Sequence, residues 1–380
     1  HLPPPPDEAL ASSAALTRLI NDTLESNGGW VNFERYMDLA LYAPGLGYYS
    51  AGSTKLGAAG DFVTAPEMSP LFGATLARQV APVLDDCGDE ILELGGGSGA
   101  LAISVMKALE SLGHLPRRYH LIDVSADLRE RQRARIAAAL PHLADRFDWP
   151  DTLPGRMDGV VIGNEVLDAL PVRLVHVLNG EVNEAGVSRD AAGYVHAGRP
   201  AGKALADRAA TLALPDDYFT EINMLLPGLI AGLSAMLGRG VLLFIDYGFP
   251  QAEYYHPQRN RGTLMCHYRH HAHDDPFALV GLQDITAHVD FTAVADAAVK
   301  SGLDVLGYTN QARFLLNAGL LEELSTTSAD DVARYAPLAS QAQRLVSPAE
   351  MGELFKVIAL GRSVRVPLAG FASGDRTHTL

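Results

Sequence analysis

The sequence predicts an α/β protein, a mostly parallel sheet with helices on both faces. Three observations carry this. From Ile91 onward, short apolar strands alternate with helical stretches. A glycine-rich turn, Gly95 to Gly99, joins the first strand to its helix. The run Val241-Leu242-Leu243-Phe244-Ile245 is apolar throughout, as a strand covered on both faces must be.

The elements follow in order. Pro3 to Pro6 read as a polyproline leader. Leu10, Ala14, Leu16, Leu19, Ile20 and Leu24 space a helix over Glu8 to Ser26, and a second fits Asn32 to Leu41. Pro44, Gly45 and Gly47 end it and open a Gly-rich stretch to Gly60, before a helix from Glu67 to Leu84. Core strands are expected at Ile91–Leu94, Tyr119–Val124, Arg146–Trp149, Asp158–Gly163 and Gly240–Tyr247, with helices at Ala100–Ser111 and Ala126–Leu140. Leu303–Tyr308, after a helix at Phe291–Ser301, and Phe355–Leu360 predict an antiparallel pair at one sheet edge, with Gln311–Val346 a helical insertion between them. Val172 to Val177 alternates at period two and Asn179-Gly180 is a hairpin-turn signal, so Val172 to Ala197 predicts a small β insertion. Helices at Lys203–Leu214 and Asp217–Leu237 are expected to follow. The divisions are an N-terminal helical section (1–86), a core (87–171 and 238–362), an insertion (172–237) and a tail (363–380).

Composition narrows the function classes. The 380 residues carry a formal net charge of −15, which opposes phosphate backbones and disfavours nucleic-acid binding; it suits either plain solubility or a basic protein partner. Two cysteines, Cys87 and Cys266, are too few for a disulfide framework and predict reduced, intracellular thiols. No apolar run reaches the ~18–20 residues a membrane helix needs.

The glycine turn is the first candidate site. Gly95, Gly96, Gly97 and Gly99 allow a sharp bend and close approach of backbone to a nucleotide-like ligand at the carboxyl end of a strand. Gly95-x-Gly97-x-x-Ala100 also fits the dinucleotide pattern. Glu93, inside the strand, favours the ammonium of an amino-acid moiety and opposes a pyrophosphate, which tilts the reading to S-adenosylmethionine. Asp123, ending the second strand, suits ribose hydroxyls, or else caps the next helix. Asp148 suits an adenine amine, and Trp149 is either a stacking platform for the base or core.

The second candidate site follows the fourth strand. Asn164, Glu165 and Asp168 interrupt an apolar stretch; on a helix, Glu165 and Asp168 would share a face. A carboxylate pair can clamp a guanidinium bidentately and raise electron density on its attacking nitrogen, so the pair suits an arginine acceptor for a methyl group. The bland alternative is a helix cap and a solvated end. His288 and Asp290, at period two, either face substrate or, for Asp290, cap the following helix. The histidines from His267 to His288 lack a zinc-binding spacing, so no metal is assigned.

Together these segments resemble the MidA-type family, which includes a mitochondrial methyltransferase needed for respiratory complex I assembly. The matching stretches are Arg35-Tyr36-Met37 with Tyr42 to Tyr49, Gly60 to Glu67, Glu93 to Gly99, Asn164 to Pro171, Asp246-Tyr247-Gly248, Thr286 to Phe291 and Met351 to Val357. The resemblance implies a Rossmann-like seven-strand class I methyltransferase core with the N-terminal section and the insertions added, and S-adenosyl-L-methionine at Glu93 to Gly99. It implies that Gly60 to Glu67 folds over the cofactor, with Gly60, Asp61 and Thr64 as contacts; Asn164 is placed with both cofactor and acceptor. It implies methylation of arginine in a protein, symmetric dimethylation of a complex I subunit in mitochondrial members. Asp123 stands where the family usually has Glu, which alters the reach to the ribose. The Ala-rich composition and the lack of a transit-like leader favour a bacterial cytoplasm, or the mitochondrial matrix for a eukaryotic member; a homodimer is compatible with the reading. Three rivals stay open: a chaperone that binds the cofactor without transfer, a small-molecule methyltransferase and a dinucleotide dehydrogenase.

Overall fold

The computed structural model describes residues 2–51 and 64–380. Gly60 and Asp61 lie outside the described residues. The chain divides into two compact units. One holds the described residues of His1–Phe62, Asp168–Leu226 and Phe249–Asp290; the other holds those of Val63–Leu167, Pro227–Gly248 and Phe291–Leu380.

The second unit is built on seven strands: β1 (Glu90–Leu94), β2 (Arg118–Ile122), β3 (Phe147–Asp148), β4 (Met157–Asn164), β5 (Leu237–Phe249), β6 (Asp304–Asn310) and β7 (Phe355–Arg362). Their order is β3-β2-β1-β4-β5-β7-β6. The first five are mutually parallel. β7 runs antiparallel between β5 and β6, as the late pair was expected to do. Strand order reverses between β1 and β4, so a crevice opens at their carboxyl ends, where ligands of such sheets bind.

Each helix has its local cause. α1 (Pro70–Cys87) starts with Pro70 behind Ser69, whose hydroxyl accepts from the Leu71 N–H. α2 (Ala100–Leu112) starts after Gly99 and stops at Gly113, both left-handed. α3 (Ala126–Ala139) is capped by Ser125, which accepts from the Leu128 N–H. Between α1, α2 and the sheet, Phe72, Leu76, Val105, Leu109, Ile91, Tyr119, Val160 and Ile162 are buried together. Each such side chain contributes roughly 1.5–3 kcal/mol by leaving water. The helices expected between Gln311 and Val346 are present as Gln311–Asn317, Leu320–Ser325 and Val332–Val346. The last residues pack on this unit too. Phe371 is buried, and the Gly370 N–H donates to Gln79 Oε1 at 2.7 Å.

The first unit holds helices Asp7–Ser26 and Phe33–Tyr42, and a sheet in the order Val31–Asn32, Glu181–Arg189, Arg173–Leu178, Tyr218–Ile222, with Tyr194–Pro200 also on Glu181–Arg189. Asn179 and Gly180 turn its hairpin with φ of 53° and 74°, the left-handed pair that a two-residue turn needs. A smaller sheet joins His271–His273, Met265–Tyr268 and Asp284–Thr286.

The helix expected over Asp217–Leu237 is corrected. Tyr218–Ile222 is a strand, antiparallel to Arg173–Leu178, and the helix α4 spans only Leu226–Met236. Tyr218, Phe219, Thr220 and Ile222 prefer a pleated surface, and pairing overrides the helical spacing. Asn223 then stops the strand, its Oδ1 accepting from the Leu225 and Leu226 N–H groups.

Candidate active site

The glycine turn leaves β1 at the reversal point. Gly95, Gly97 and Gly99 have φ of 64°, 53° and 82°, a conformation that disfavours any side chain. The Gly95 N–H donates to the Ile122 carbonyl at 2.8 Å, tying the turn to β2. A Cβ at Gly96 would lie 2.5 Å from Leu121 Cδ2, so a side chain there would push the end of Leu121 aside.

Glu93 is fully buried, and its Oε2 accepts from the Tyr119 hydroxyl at 2.6 Å. Burial pushes its carboxyl up to about 8; the Tyr119 hydrogen bond opposes that rise, and the neighbouring Asp123 charge adds to it. Asp123 follows β2. Its Oδ1 accepts from the Ser125 N–H at 3.2 Å and its Oδ2 from Gln132 Nε2 at 3.0 Å. Burial raises this carboxyl, and those two bonds hold it down.

Asp148 and Trp149 close β3. Asp148 Oδ1 lies 2.6 Å from His120 Nδ1. The Trp149 indole donates to Gln132 Oε1 at 2.9 Å. The Arg133 guanidinium lies 4.8 Å above its ring, so a base stacking on that face must take the place of Arg133. The turn is also fastened from outside. Ser98 hydrogen-bonds Glu67 and Arg135, and Arg135 pairs with Glu67 at 3.2 Å. Thr64, half-buried, precedes the short helix Ala65–Met68, and its carbonyl accepts from the Glu67 and Met68 N–H groups.

The segment after β4 differs from the helix on which the Glu165–Asp168 spacing was considered. Residues 165–170 form bends and turns. Glu165 sits at φ 53°, a strained conformation for a non-glycine residue. Two neighbours over-determine it. Its N–H donates to the Ile245 carbonyl at 2.9 Å, and the fully buried Asp246 carboxylate accepts from the Val166 and Leu167 N–H groups at 3.1 and 2.8 Å. Asn164 donates to Glu165 Oε1 at 3.2 Å. Asn164 Oδ1 is buried and has no hydrogen-bond partner among the described residues.

Asp168, His288 and Asp290 belong to the first unit. The Asp168 carbonyl accepts from the Ala287 N–H at 3.0 Å, which joins Asp168 to the strip carrying His288. Tyr42 and Tyr49 stack nearby; Tyr42 donates to the Ala169 carbonyl and Tyr49 to Asp284. The His288 ring stacks on Phe249 at 5.4 Å, and Arg259 lies 4.1 Å from the same Phe249 ring. Asp290 pairs with Arg208 at 3.4 Å. The His288 N–H donates to Thr263, which the buried Glu221 carboxylate holds in turn. Among the described residues, no group of three or more His, Cys, Asp or Glu side chains is arranged to hold a metal ion. No helix among them is long and apolar enough to cross a membrane.

Sequence reasoning missed Tyr119, His120, Gln132, the Glu67–Arg135 clasp and the role of Asp246. One signal was present for Gln132: Leu128, Gln132 and Ile136 recur at four-residue spacing, so a polar residue shares the buried face of a helix otherwise rich in Arg and Glu.

The turn, the carboxylates around it and the open Asn164 oxygen fit a cofactor with amino-acid, ribose and base parts. Comparison with known proteins gives the same answer. A solved structure from Burkholderia thailandensis, bound to S-adenosyl-homocysteine, is 51% identical over 100% of both chains, with a TM-score of 0.97. The protein arginine methyltransferase NDUFAF7 homolog of Drosophila melanogaster is 27% identical over 97% of this chain and 92% of its own, and that of Caenorhabditis elegans 26% identical over 85% and 80%. Both relatives are named mitochondrial. The family model of S-adenosyl-L-methionine-dependent methyltransferases matches residues 75–309, most of the core. The seven-strand fold and the cofactor are therefore those expected, the dinucleotide reading falls away, and the chain belongs to the MidA-type family of S-adenosyl-L-methionine-dependent methyltransferases.

Proposed function

We propose that the protein transfers the methyl group of S-adenosyl-L-methionine to an arginine side chain of another protein. The observation that carries this reading is Glu165. A carboxylate is held in a strained backbone conformation at the carboxyl end of β4, next in sequence to Asn164, whose Oδ1 is buried and open. Strain of this kind costs of order 1–3 kcal/mol and persists where geometry serves function. The names of the relatives support the same acceptor.

When bound, the cofactor supplies a methyl group on a cationic sulfur that leaves readily. The chain's own residues then have two tasks. Gly95 to Gly99, with Asp123, Asp148 and Trp149, hold the nucleoside, and Glu93 holds the ammonium of the amino-acid part. Thr64 and Asn164 add polar contacts. Glu165 holds the guanidinium, so that its nitrogen is oriented for in-line attack; positioning of this kind supplies much of the rate for a displacement. The partner is a protein with an exposed arginine, and a respiratory complex I subunit is the first to try. The acidic net charge of −15 favours a basic substrate segment.

The test is incubation with methyl-labelled cofactor and cell extract, followed by mass spectrometry of modified arginine. Label on arginine that disappears with Gly97→Val and with Glu165→Gln supports the reading. Label on a small molecule, or cofactor binding with no transfer to any protein, overturns it.

A further inference from the structure

Gln132 is completely buried in α3, and its amide makes three hydrogen bonds. Nε2 donates to the Gly97 carbonyl at 2.9 Å and to Asp123 Oδ2 at 3.0 Å, while Oε1 accepts from Trp149 Nε1 at 2.9 Å. Only one orientation of the amide satisfies all three, because a carbonyl and a carboxylate accept and an indole N–H donates. Three separate segments therefore meet on one side chain: the glycine turn, the residue after β2 and the residue after β3.

We propose that Gln132 is a positioning residue of the cofactor site, holding the Gly97 turn, the Asp123 carboxylate and the Trp149 indole in one arrangement so that ribose and base are bound as a unit. The inference rests on the assignment of Asp123 and Trp149 to the cofactor made above. Its physical content is preorganisation. Asp123 has the Ser125 N–H on one oxygen and Gln132 on the other, which fixes the plane of the carboxylate before any hydroxyl arrives. Its remaining lone pairs are then aimed rather than searching. The same amide sets the Trp149 ring through its only polar atom. It also holds the Gly97 carbonyl back, at the residue where the turn must keep a left-handed φ of 53°.

The chemistry singles out an amide at this position. Leucine has nearly the same shape, but strands a carbonyl, a carboxylate oxygen and an indole N–H. Ionised glutamate has the same shape and replaces two donated bonds by acceptors facing acceptors, one of them the Asp123 carboxylate. Protonated glutamate recovers one donor.

The experiment titrates S-adenosyl-homocysteine into the full chain by calorimetry, with circular dichroism recorded on each variant. The set is wild type, Gln132→Leu, Gln132→Glu, Asp123→Asn, Trp149→Phe, and the doubles Gln132→Leu/Asp123→Asn and Gln132→Leu/Trp149→Phe. Gln132→Leu raises the Kd about tenfold or more, as expected when buried polar groups lose a partner. Each double costs less than the two singles summed, because both members remove the same contact. The Kd of Gln132→Glu relative to wild type widens between pH 5 and pH 8 as the new carboxyl ionises beside Asp123. That pH-dependent ratio is a readout that a merely space-filling role would not move. It also carries the test if Gln132→Leu fails to fold, since the protonated form at pH 5 retains a donor.

The outcomes separate the two readings. If Asp123→Asn and Trp149→Phe bind as wild type does, the cofactor assignment of those residues fails and takes this inference with it. If they bind weakly while Gln132→Leu binds normally, or the doubles are additive, or the Gln132→Glu ratio is flat with pH, Gln132 positions nothing and the assignment of the others stands.

Discussion

The Tyr119 hydroxyl lies 2.6 Å from the Glu93 carboxylate, a buried hydrogen bond between neighbouring parallel strands, two residues before the glycine turn begins at Gly95. Burial holds the Glu93 carboxyl at about 8, so it is largely protonated at neutral pH without ligand. In an unfolded chain it would ionise in the ordinary carboxylate range. Between that range and about 8 the folded state therefore binds the extra proton, and stability falls as pH rises through the window. Glu93→Gln removes this slope. Thermal unfolding of wild type and variant at pH 5 and pH 8 checks it: the variant gains relative to wild type on going to pH 8.

On the proposed placement of Glu93 against the cofactor's ammonium, the same carboxyl makes cofactor binding pH-dependent. An ammonium placed against Glu93 favours the ionised form, so affinity for S-adenosyl-homocysteine rises toward about 8 and levels off above it, with a proton released on binding. Tyr119→Phe removes a bond that stabilises the anion, and moves the midpoint upward. Calorimetry in buffers of different ionisation enthalpy measures the proton directly. A flat profile with no proton released would exclude Glu93 as the ammonium's partner.

Gly97→Val tests the turn. A branched side chain at φ 53° costs about 1–2 kcal/mol of folding energy and crowds the cofactor's approach. We expect a modestly lower melting temperature and no detectable S-adenosyl-homocysteine binding. Retained binding with retained transfer would place the cofactor elsewhere.

Asp246 tests the acceptor side. Asp246→Ala strands the Val166 and Leu167 N–H groups, both bonded to the same buried Oδ2, at a cost of about 3 kcal/mol in stability. With Glu165 no longer held, turnover is expected to fall about a hundredfold while cofactor affinity changes little. Steady-state rates with a labelled protein acceptor, beside calorimetry, separate the two effects.

Asp290 pairs with Arg208, and the Asp290 side chain is 9% exposed against 28% for Arg208. Partial exposure screens the pair, so Asp290→Asn is expected to cost about 1–2 kcal/mol. If Asp290 only secures Arg208, transfer survives in the folded variant. If transfer is lost at unchanged melting temperature and unchanged cofactor affinity, Asp290 acts on the acceptor. Activity and melting curves on one preparation decide between them.

Much of the core was legible because its signals are local. Strand, glycine bend and helix at residues 90–112 are dictated by apolar runs, glycine backbone freedom and caps, all of which act within a few residues. Asn179-Gly180 announced its hairpin for the same reason. The segment 218–222 was misread because its strand pairing is made to Arg173–Leu178, some forty positions away, and the residues themselves tolerate either structure. Glu165 and Asp168 looked like a helical pair because spacing alone cannot report that a distant Asp246 carboxylate bends the backbone between them.

By itself the sequence determined the alternation of strands and helices, the place of the glycine turn and the chemical type of the groups around it. Those follow from local backbone preference and from side-chain chemistry. Only the tertiary structure decided that Glu93 meets Tyr119, that Gln132 joins Gly97, Asp123 and Trp149, and that Glu165 is held in a left-handed conformation. The reason is physical: a buried hydrogen bond pays off only once folding has removed water from both partners and brought them together, and neither condition is written in the spacing of residues along the chain.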